Sequence, residues 1–341
     1  MTTDILKLKV EQIKWEAPDT ATFYLSNTSG QPVPYKAGQF LTLIFNHRNE
    51  EIRRSYSLSS SPNEALLTIT IKRISNGEIS RFMLTKIKAG DVLNALAPAG
   101  RFTVSNYEQD KSIVFFAGGS GITPIFSQLK YILNQSGKSR LTLIYSNQNA
   151  GSILFRSELD QLATLHPGRF KVIHLLSSEA NRLNADRVES LTRQLVPSDI
   201  EKTEFYLCGP FPYMRMIRFA LVYMGIDPNQ IRRENFVLET VAVSATATNF
   251  APRNIRIKFN GEVHDLPVGE NQSILQAALQ NNLPLPYSCR SGVCSTCTAR
   301  CITGKVEMVK NDVLTDADQD AGLILTCTGH PVTDNVEITF E

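Results

Sequence analysis

No stretch of this 341-residue chain approaches the roughly 18 apolar residues that a membrane-spanning helix needs. The start, Met1 to Trp15, also lacks the apolar core of a signal peptide, because lysines interrupt its aliphatic residues. A soluble, cytoplasmic protein without membrane insertion is expected. An excess of one charge is missing too: 35 Lys+Arg against 33 Asp+Glu leave +2, too weak a field to favour nucleic acid or an anionic lipid surface. Six cysteines are too few for a disulfide scaffold at this length. The five histidines, His47, His166, His174, His264 and His330, show no ligand spacing and read as surface or packing residues. Internal repeats and low-complexity tracts are absent. At about 100 to 200 residues per domain, the length allows two or three domains.

The cysteines that are present carry the strongest signal. Cys289, Cys294 and Cys297 form C-x4-C-x2-C between Pro286 and Cys297, and Cys327 follows after 29 intervening residues. This is the ligand spacing of a plant-type [2Fe-2S] cluster. Zinc sites usually pair cysteines as C-x2-4-C twice, whereas here three crowd one loop, so zinc is the weaker reading. Cluster cysteines fit a reducing compartment. Cys301, four residues past Cys297, reads as a core or spare thiol. Clusters of this kind move one electron at a time, which raises the question of what feeds this one and what it feeds.

Three regions separate by pattern. Residues 1–107 hold short alternating segments, Ile5 to Lys14, Thr22 to Leu25, Gln39 to Phe45, Ser55 to Leu58 and Leu66 to Ile71, broken by Gly, Pro and Asn. That spacing predicts a small antiparallel barrel. Residues 108–236 alternate strand-like runs (Ser112 to Phe116, Leu141 to Tyr145, Phe170 to Leu175, Glu204 to Cys208) with helical ones (Pro124 to Asn134, Leu154 to Leu165, Arg187 to Leu195, Tyr213 to Met224). Such a rhythm predicts βαβ units on a parallel sheet. Residues 237–252 read as a linker, uncharged from Thr240 to Ala251 and mostly Ser, Thr, Ala and Val. Residues 253–341 open with two short runs around Asn260-Gly261, a hairpin signal, and then a helix started by Ser273 with Gln276 three residues on.

Two of these regions carry ligand-like motifs. In Arg54-Ser55-Tyr56-Ser57-Leu58, an arginine can grip phosphate, a tyrosine can stack on a flat heterocycle and a serine can reach a ring nitrogen. Gly77-Glu78-Ile79-Ser80 then puts a helix N-terminus where a pyrophosphate can sit. Further on, an apolar strand runs into Gly118-Gly119-Ser120-Gly121-Ile122-Thr123-Pro124, glycines followed by a helix start. It is not G-x-G-x-x-G. A second turn, Cys208-Gly209-Pro210, ends a later strand, and ligands of open α/β sheets bind at strand carboxyl ends. Each motif alone also occurs at ordinary strand–turn–helix junctions.

In this order and at these separations, Arg54-Ser55-Tyr56-Ser57, Gly118 to Pro124 and Cys208-Gly209-Pro210 resemble the ferredoxin-NADP reductase superfamily. With the C-terminal cysteines added, nearly the whole chain is similar to reductase components of bacterial multicomponent oxygenases. Phenylacetyl-CoA epoxidase reductase subunits are the nearer likeness and phthalate dioxygenase reductase the more distant one. The resemblance implies an antiparallel β-barrel flavin domain, an α/β parallel-sheet nucleotide domain and an α+β, β-grasp ferredoxin domain. It also implies FAD, NAD(P)H and a [2Fe-2S] cluster. By this resemblance Arg54, Ser55, Tyr56 and Ser57 hold the flavin, with Ser57 near its reactive nitrogen, and Ile71, Gly77, Ile79 and Ser80 match a second flavin-contacting stretch. Gly119, Gly121, Thr123 and Pro124 would cradle the coenzyme pyrophosphate. Cys208, beside Gly209 and Pro210, would stand where hydride leaves, and Glu234 and Phe236 match a segment near the flavin. Cys289, Cys294, Cys297 and Cys327 would ligate the cluster.

Electron counting fits these modules together: hydride carries two electrons and the cluster takes one, so a flavin must stand between them. The expected function is electron transfer from NAD(P)H through FAD and the cluster to a partner oxygenase. Reductases of hybrid-cluster proteins or desaturases share every motif, and a redox-sensing module without turnover is a further alternative. Tyr145-Ser146-Asn147-Gln148 offers no acid for an NADH ribose; with Arg156 nearby, this leans to NADPH. Residues 253–341 hold 7 Lys+Arg and 11 Asp+Glu, a net of −4, against +6 for the rest, which favours docking of the cluster domain on the flavin domain. Asp312, Asp316, Asp318 and Asp320 are candidates for partner docking, or simply a helix start carrying favourable acids.

Overall fold

The structure is a computed structural model and describes residues 5–47, 50–105, 109–196, 200–236 and 249–340. Most of the expected linker, 237–248, lies outside the described residues. Two compact units form, Leu6–Glu234 and Asn235–Glu341, the latter grouped with Met1–Ile5. Among the described residues no helix is long and apolar enough to cross a membrane.

In the larger unit, period-2 alternation produces β1 (Leu6–Ala17), β2 (Thr20–Asn27), β3 (Phe40–His47), β4 (Glu50–Ser57), β5 (Leu67–Lys72) and, after helix α1 (Glu78–Lys86), β6 (Val92–Ala99). Their order is β4-β3-β6-β1-β2-β5, antiparallel throughout. An antiparallel bridge from Leu58 to Ile69 joins the two edges and closes the barrel. Leu8, Phe23, Leu41, Leu43 and Ile69 fill it, each fully buried.

The same unit continues with β7 (Ser112–Gly118), α2 (Ile122–Leu133), β8 (Arg140–Asn147), α3 (Arg156–Leu165), β9 (Phe170–Leu176), α4 (Ala185–Leu195), β10 (Thr203–Cys208), α5 (Phe211–Tyr223) and β11 (Ile231–Glu234). The sheet is parallel, in the order β11-β10-β7-β8-β9. Near-continuous apolar runs such as Ile113 to Ala117 suit strands covered on both faces. Phe115 and Leu143 belong to the core that α2 and α3 cover, Phe116 and Leu207 to the core under α4 and α5. The chain winds from β7 to β9 on one side and resumes with β10 on the other, so β7 and β10 flank the switch point where ligands bind.

The smaller unit comprises β12 (Arg253–Phe259), β13 (Glu262–Val268), α6 (Ile274–Gln280), β14 (Thr298–Thr303), β15 (Val306–Met308), α7 (Asp316–Asp320), β16 (Leu323–Leu325), β17 (Gly329–Pro331) and β18 (Glu337–Thr339). A mixed sheet β13-β12-β18-β14-β16 packs its apolar face against α6, with β15 and β17 paired separately. Asn260 and Gly261 both take positive φ, at 53° and 84°, as a tight hairpin turn requires. Ser273 caps α6 reciprocally: Gln276 N–H donates to its Oγ at 3.3 Å, and its own N–H donates to Gln276 Oε1 at 3.0 Å.

Candidate active site and cluster loop

Side-chain alternation along β4 puts Arg54 and Tyr56 on one face and Ser55 and Ser57 on the other. Arg54 is exposed and Tyr56 half-buried, its phenol pushed up to about 12 by burial. Ser55 shares a hydrogen bond with Thr42 at 2.9 Å across the β3–β4 ladder. Ser57 differs: its hydroxyl is buried with no partner in the protein. Such a group costs about 1–3 kcal/mol unless a ligand atom meets it, so Ser57 fits a heterocycle bound at the end of β4. Ile71 turns its side chain into the barrel core, as does Ile79. Gly77 precedes α1 without a capping side-chain hydrogen bond, so its first helical N–H groups are not capped from that position. Ser80 serves the loop itself, accepting from Ile74 N–H and donating to Gly77 O, both at 3.2 Å.

At the switch point the two glycine turns of the nucleotide sheet meet. A Cβ on Gly121 would fall 2.1 Å from Cys208 O, and one on Gly209 would stand 3.1 Å from Gly118 Cα. Only glycines allow this approach. Gly119 takes φ +54° with open space around its missing Cβ, a concave stretch of backbone facing outward. Thr123 is buried and donates to Ser120 O at 3.0 Å, and Pro124 lies in the first turn of α2. Pro210 caps α5. Tyr213, which carries no distinguishing sequence signal, lies against Gly118 and Gly209 and donates to Ala117 O at 3.1 Å.

Cys208 is fully buried at the end of β10, in register with Ala117 on one side and Glu234 on the other. Burial raises its thiol well above the ordinary range, and Glu234, once ionised, would add to this. Glu234 is buried too, its carboxyl pushed up to about 8 by desolvation, so it is mostly protonated at neutral pH. At the end of β8, where an acid would grip a ribose, stands the buried neutral Asn147. Arg156 is exposed at the start of α3, beside Glu158 and Asp160.

In the smaller unit the four sequence-predicted cysteines converge. Cys294 Sγ lies 3.1 Å from Cys289 Sγ, and the Cys327 thiol lies against both Cys289 and Cys297. Sulfhydryls aimed at Cys289, with Ser291 N–H at 3.4 Å, hold its thiol well below the ordinary range and Cys327 hydrogen bonding lowers Cys297, while the same contacts raise their donors Cys294 and Cys327, so the four thiols share protons at close quarters. Thiolate is the form a metal requires. Among the described residues no three His, Cys, Asp or Glu side chains are arranged for a single ion. The loop depends on Arg290 and Gly292 at φ 54° and 72°; a Cβ on Gly292 would sit 2.6 Å from Lys310 O. Arg290 spends its guanidinium over the Tyr287 ring, 4.2 Å from the centroid. Ser291 and Ser295 hydroxyls are buried without partners beside the sulfurs, again a fit to a bound group. Cys301 stands apart on β14, its Sγ 3.2 Å from Thr303 O.

A barrel with an unpartnered buried hydroxyl at the end of β4, a sheet with paired glycine turns and a four-thiol unit define an NAD(P)H-dependent flavoprotein reductase with its own iron–sulfur carrier. The oxidoreductase FAD-binding domain family matches residues 7–104, the oxidoreductase NAD-binding domain family 115–219 and the 2Fe-2S iron-sulfur cluster binding domain family 257–332. The ferredoxin reductase component of 3-ketosteroid-9-alpha-monooxygenase from Rhodococcus rhodochrous is 34% identical, over 98% of this chain and 96% of its own length. A component of the 1,2-phenylacetyl-CoA epoxidase from Escherichia coli is 29% identical over 99% of this chain and 98% of its own. The solved phthalate dioxygenase reductase shares the fold at a TM-score of 0.63 and 24% identity, covering 98% of each chain. The chain belongs to the family of ferredoxin reductase components that join FAD-binding, NAD-binding and [2Fe-2S] domains in one polypeptide.

Proposed function

We propose that this reductase serves an oxygenase component, in the manner that the names of its relatives state for them. The closed convergence of Gly118–Gly121 with Cys208–Pro210, in one compact unit with Ser57, carries the reading. A flavin held here would supply the conversion of a two-electron hydride into the single electrons a cluster takes. Arg54 would hold its phosphates, Tyr56 would stack on its ring, and Ser57 would donate its hydroxyl to the ring edge. The α1 N-terminus at Gly77, Ile79 and Ser80 receives the pyrophosphate with backbone N–H groups. Ile71 packs beneath them. Gly119, Gly121, Thr123 and Pro124 shape the coenzyme phosphate cradle, and the uncharged Cys208 and protonated Glu234 keep the hydride path free of charge. The four cysteines, Cys289, Cys294, Cys297 and Cys327, hold the cluster.

Domain boundaries near 107, 236 and 252 and a cytoplasmic location belong to the same proposal. So does a preference for NADPH, since Asn147 leaves no carboxylate to repel a ribose phosphate. The relatives differ in the substrate of their oxygenase, so the shared element is the oxygenase as acceptor, with a phenylacetyl-CoA epoxidase-like partner as the first to try. The test is coupled turnover: purified protein, coenzyme and an epoxidase-type oxygenase component should give oxygenated substrate, with kcat/KM at least tenfold higher for NADPH than NADH. Failure to sustain even cytochrome c reduction would favour a sensing module instead.

A further inference from the structure

Helix α2 belongs to the nucleotide sheet, yet its middle is fastened to the barrel. The helix reads ITPIFSQLKYIL, and every residue from Ile122 to Leu129 is buried. Within this run Ser127 and Gln128 are wholly buried polar residues, costly unless engaged. Both reach outside their own sheet. Ser127 donates its hydroxyl to Ser60 O, and Gln128 donates Nε2 to Phe102 O. The second contact is tight: a Cβ on Gly38, itself at φ +95°, would fall 2.0 Å from Phe102 O and 2.3 Å from Gln128 Nε2. Lys130, two residues on, adds an ion pair to Glu64.

The acceptors are backbone carbonyls of the barrel, so the bonds fix main chain to helix. Ser60 stands three residues beyond Ser57, and α2 begins one residue after the Gly119–Gly121 turn. Less than two turns of helix thus connect the coenzyme cradle to the strand end proposed to face the flavin.

We propose that Ser127 and Gln128 are positioning residues for hydride transfer, holding the cradle at the head of α2 in register with the end of β4. This rests on the functional reading above. Misplacing reacting atoms by about 1 Å costs on the order of 100-fold in rate, while binding of a coenzyme whose phosphate cradle stays intact changes little.

The test uses the FAD-loaded full chain. Ser127→Ala and Gln128→Leu are compared with Val188→Ala, a core truncation in α4 remote from these contacts. Anaerobic stopped-flow reduction by NADPH gives the limiting rate of flavin bleaching and the coenzyme dissociation constant; hydrogen exchange reads residues 58–61 and 118–122. The two tether variants should lose about 10- to 100-fold in limiting rate with less than a threefold change in dissociation constant. Exchange should rise in both segments together, and Val188→Ala should lower the melting temperature without either effect. If Gln128→Leu fails to fold, Ser127→Ala, which removes a single oxygen, decides alone. A limiting rate within twofold of wild type, or a loss matched by Val188→Ala, overturns the proposal. Wild-type flavin that neither NADPH nor NADH bleaches overturns the functional reading instead.

Discussion

Single residues at the switch point are held by sterics and by desolvation, and each makes a distinct demand. Gly121 has no room for a methyl group, because Cys208 O occupies the place at 2.1 Å. Gly121→Ala should therefore spread the two turns, weakening coenzyme binding at least tenfold, measured by equilibrium titration, while cluster absorption stays intact in its separate unit. Glu234 makes a pH-dependent demand. The folded chain keeps its proton up to about pH 8, whereas the unfolded chain releases it near 4.5. The folded state binds more protons across that window, so the contribution is full below about 4.5 and lost as pH rises through about 8. Within the window the slope reaches about 1.4 kcal/mol per pH unit. Thermal midpoints of wild type and Glu234→Gln should diverge accordingly, the variant gaining on the wild type as pH rises from about 5 to 8; parallel curves would deny the raised carboxyl. Cysteine spacing makes the cluster loop legible, because ligand number and order are written in sequence. Ser127, Gln128 and Tyr213 are not legible, because partners about 70 to 100 residues away, or nearer but across a domain junction, define them.

Elements are legible where a local signal exists. The Asn260-Gly261 hairpin and the Ser273 cap appear as expected, since turn and cap chemistry is local. Helix α2 starts at Ile122 rather than Pro124 and α5 at Phe211 rather than Tyr213, because glycine turns and prolines end strands without fixing the first helical residue. Strands β6 and β11 have no comparable signal: β11 has four residues and relies on β10 for its ladder. Of the acidic run, Asp318 accepts from Thr315 in the cap of α7 and Asp312 pairs with Lys310 at 3.4 Å, leaving Asp316 and Asp320 exposed. The helix-start reading accounts for Asp318 without a partner protein. Removing the α6 cap by Ser273→Ala should cost about 1 kcal/mol. On heating, iron–sulfur absorption should vanish a few degrees earlier, with flavin release unchanged; a common shift in both signals would mean that the two units melt together.

At the scale of the whole molecule, charge is distributed unequally. Residues 253–341 carry a net −4 and the rest +6. Attraction between opposite charges is screened over about 10 Å at 0.1 M salt. Cluster reduction following flavin reduction should therefore slow several-fold between about 50 and 500 mM salt, with hydride transfer itself unaffected. A flat profile would mean that shape rather than charge governs the encounter.

One polypeptide conducts electrons from a nicotinamide coenzyme through a flavin to a [2Fe-2S] cluster. Anaerobic titration of the reconstituted protein with NADPH, and with NADH in parallel, followed by visible absorption, decides it. Two electrons for the flavin and one for the cluster predict bleaching of both chromophores, complete near roughly 1.5 equivalents of coenzyme. Bleaching of the flavin alone, or of neither chromophore, would contradict it.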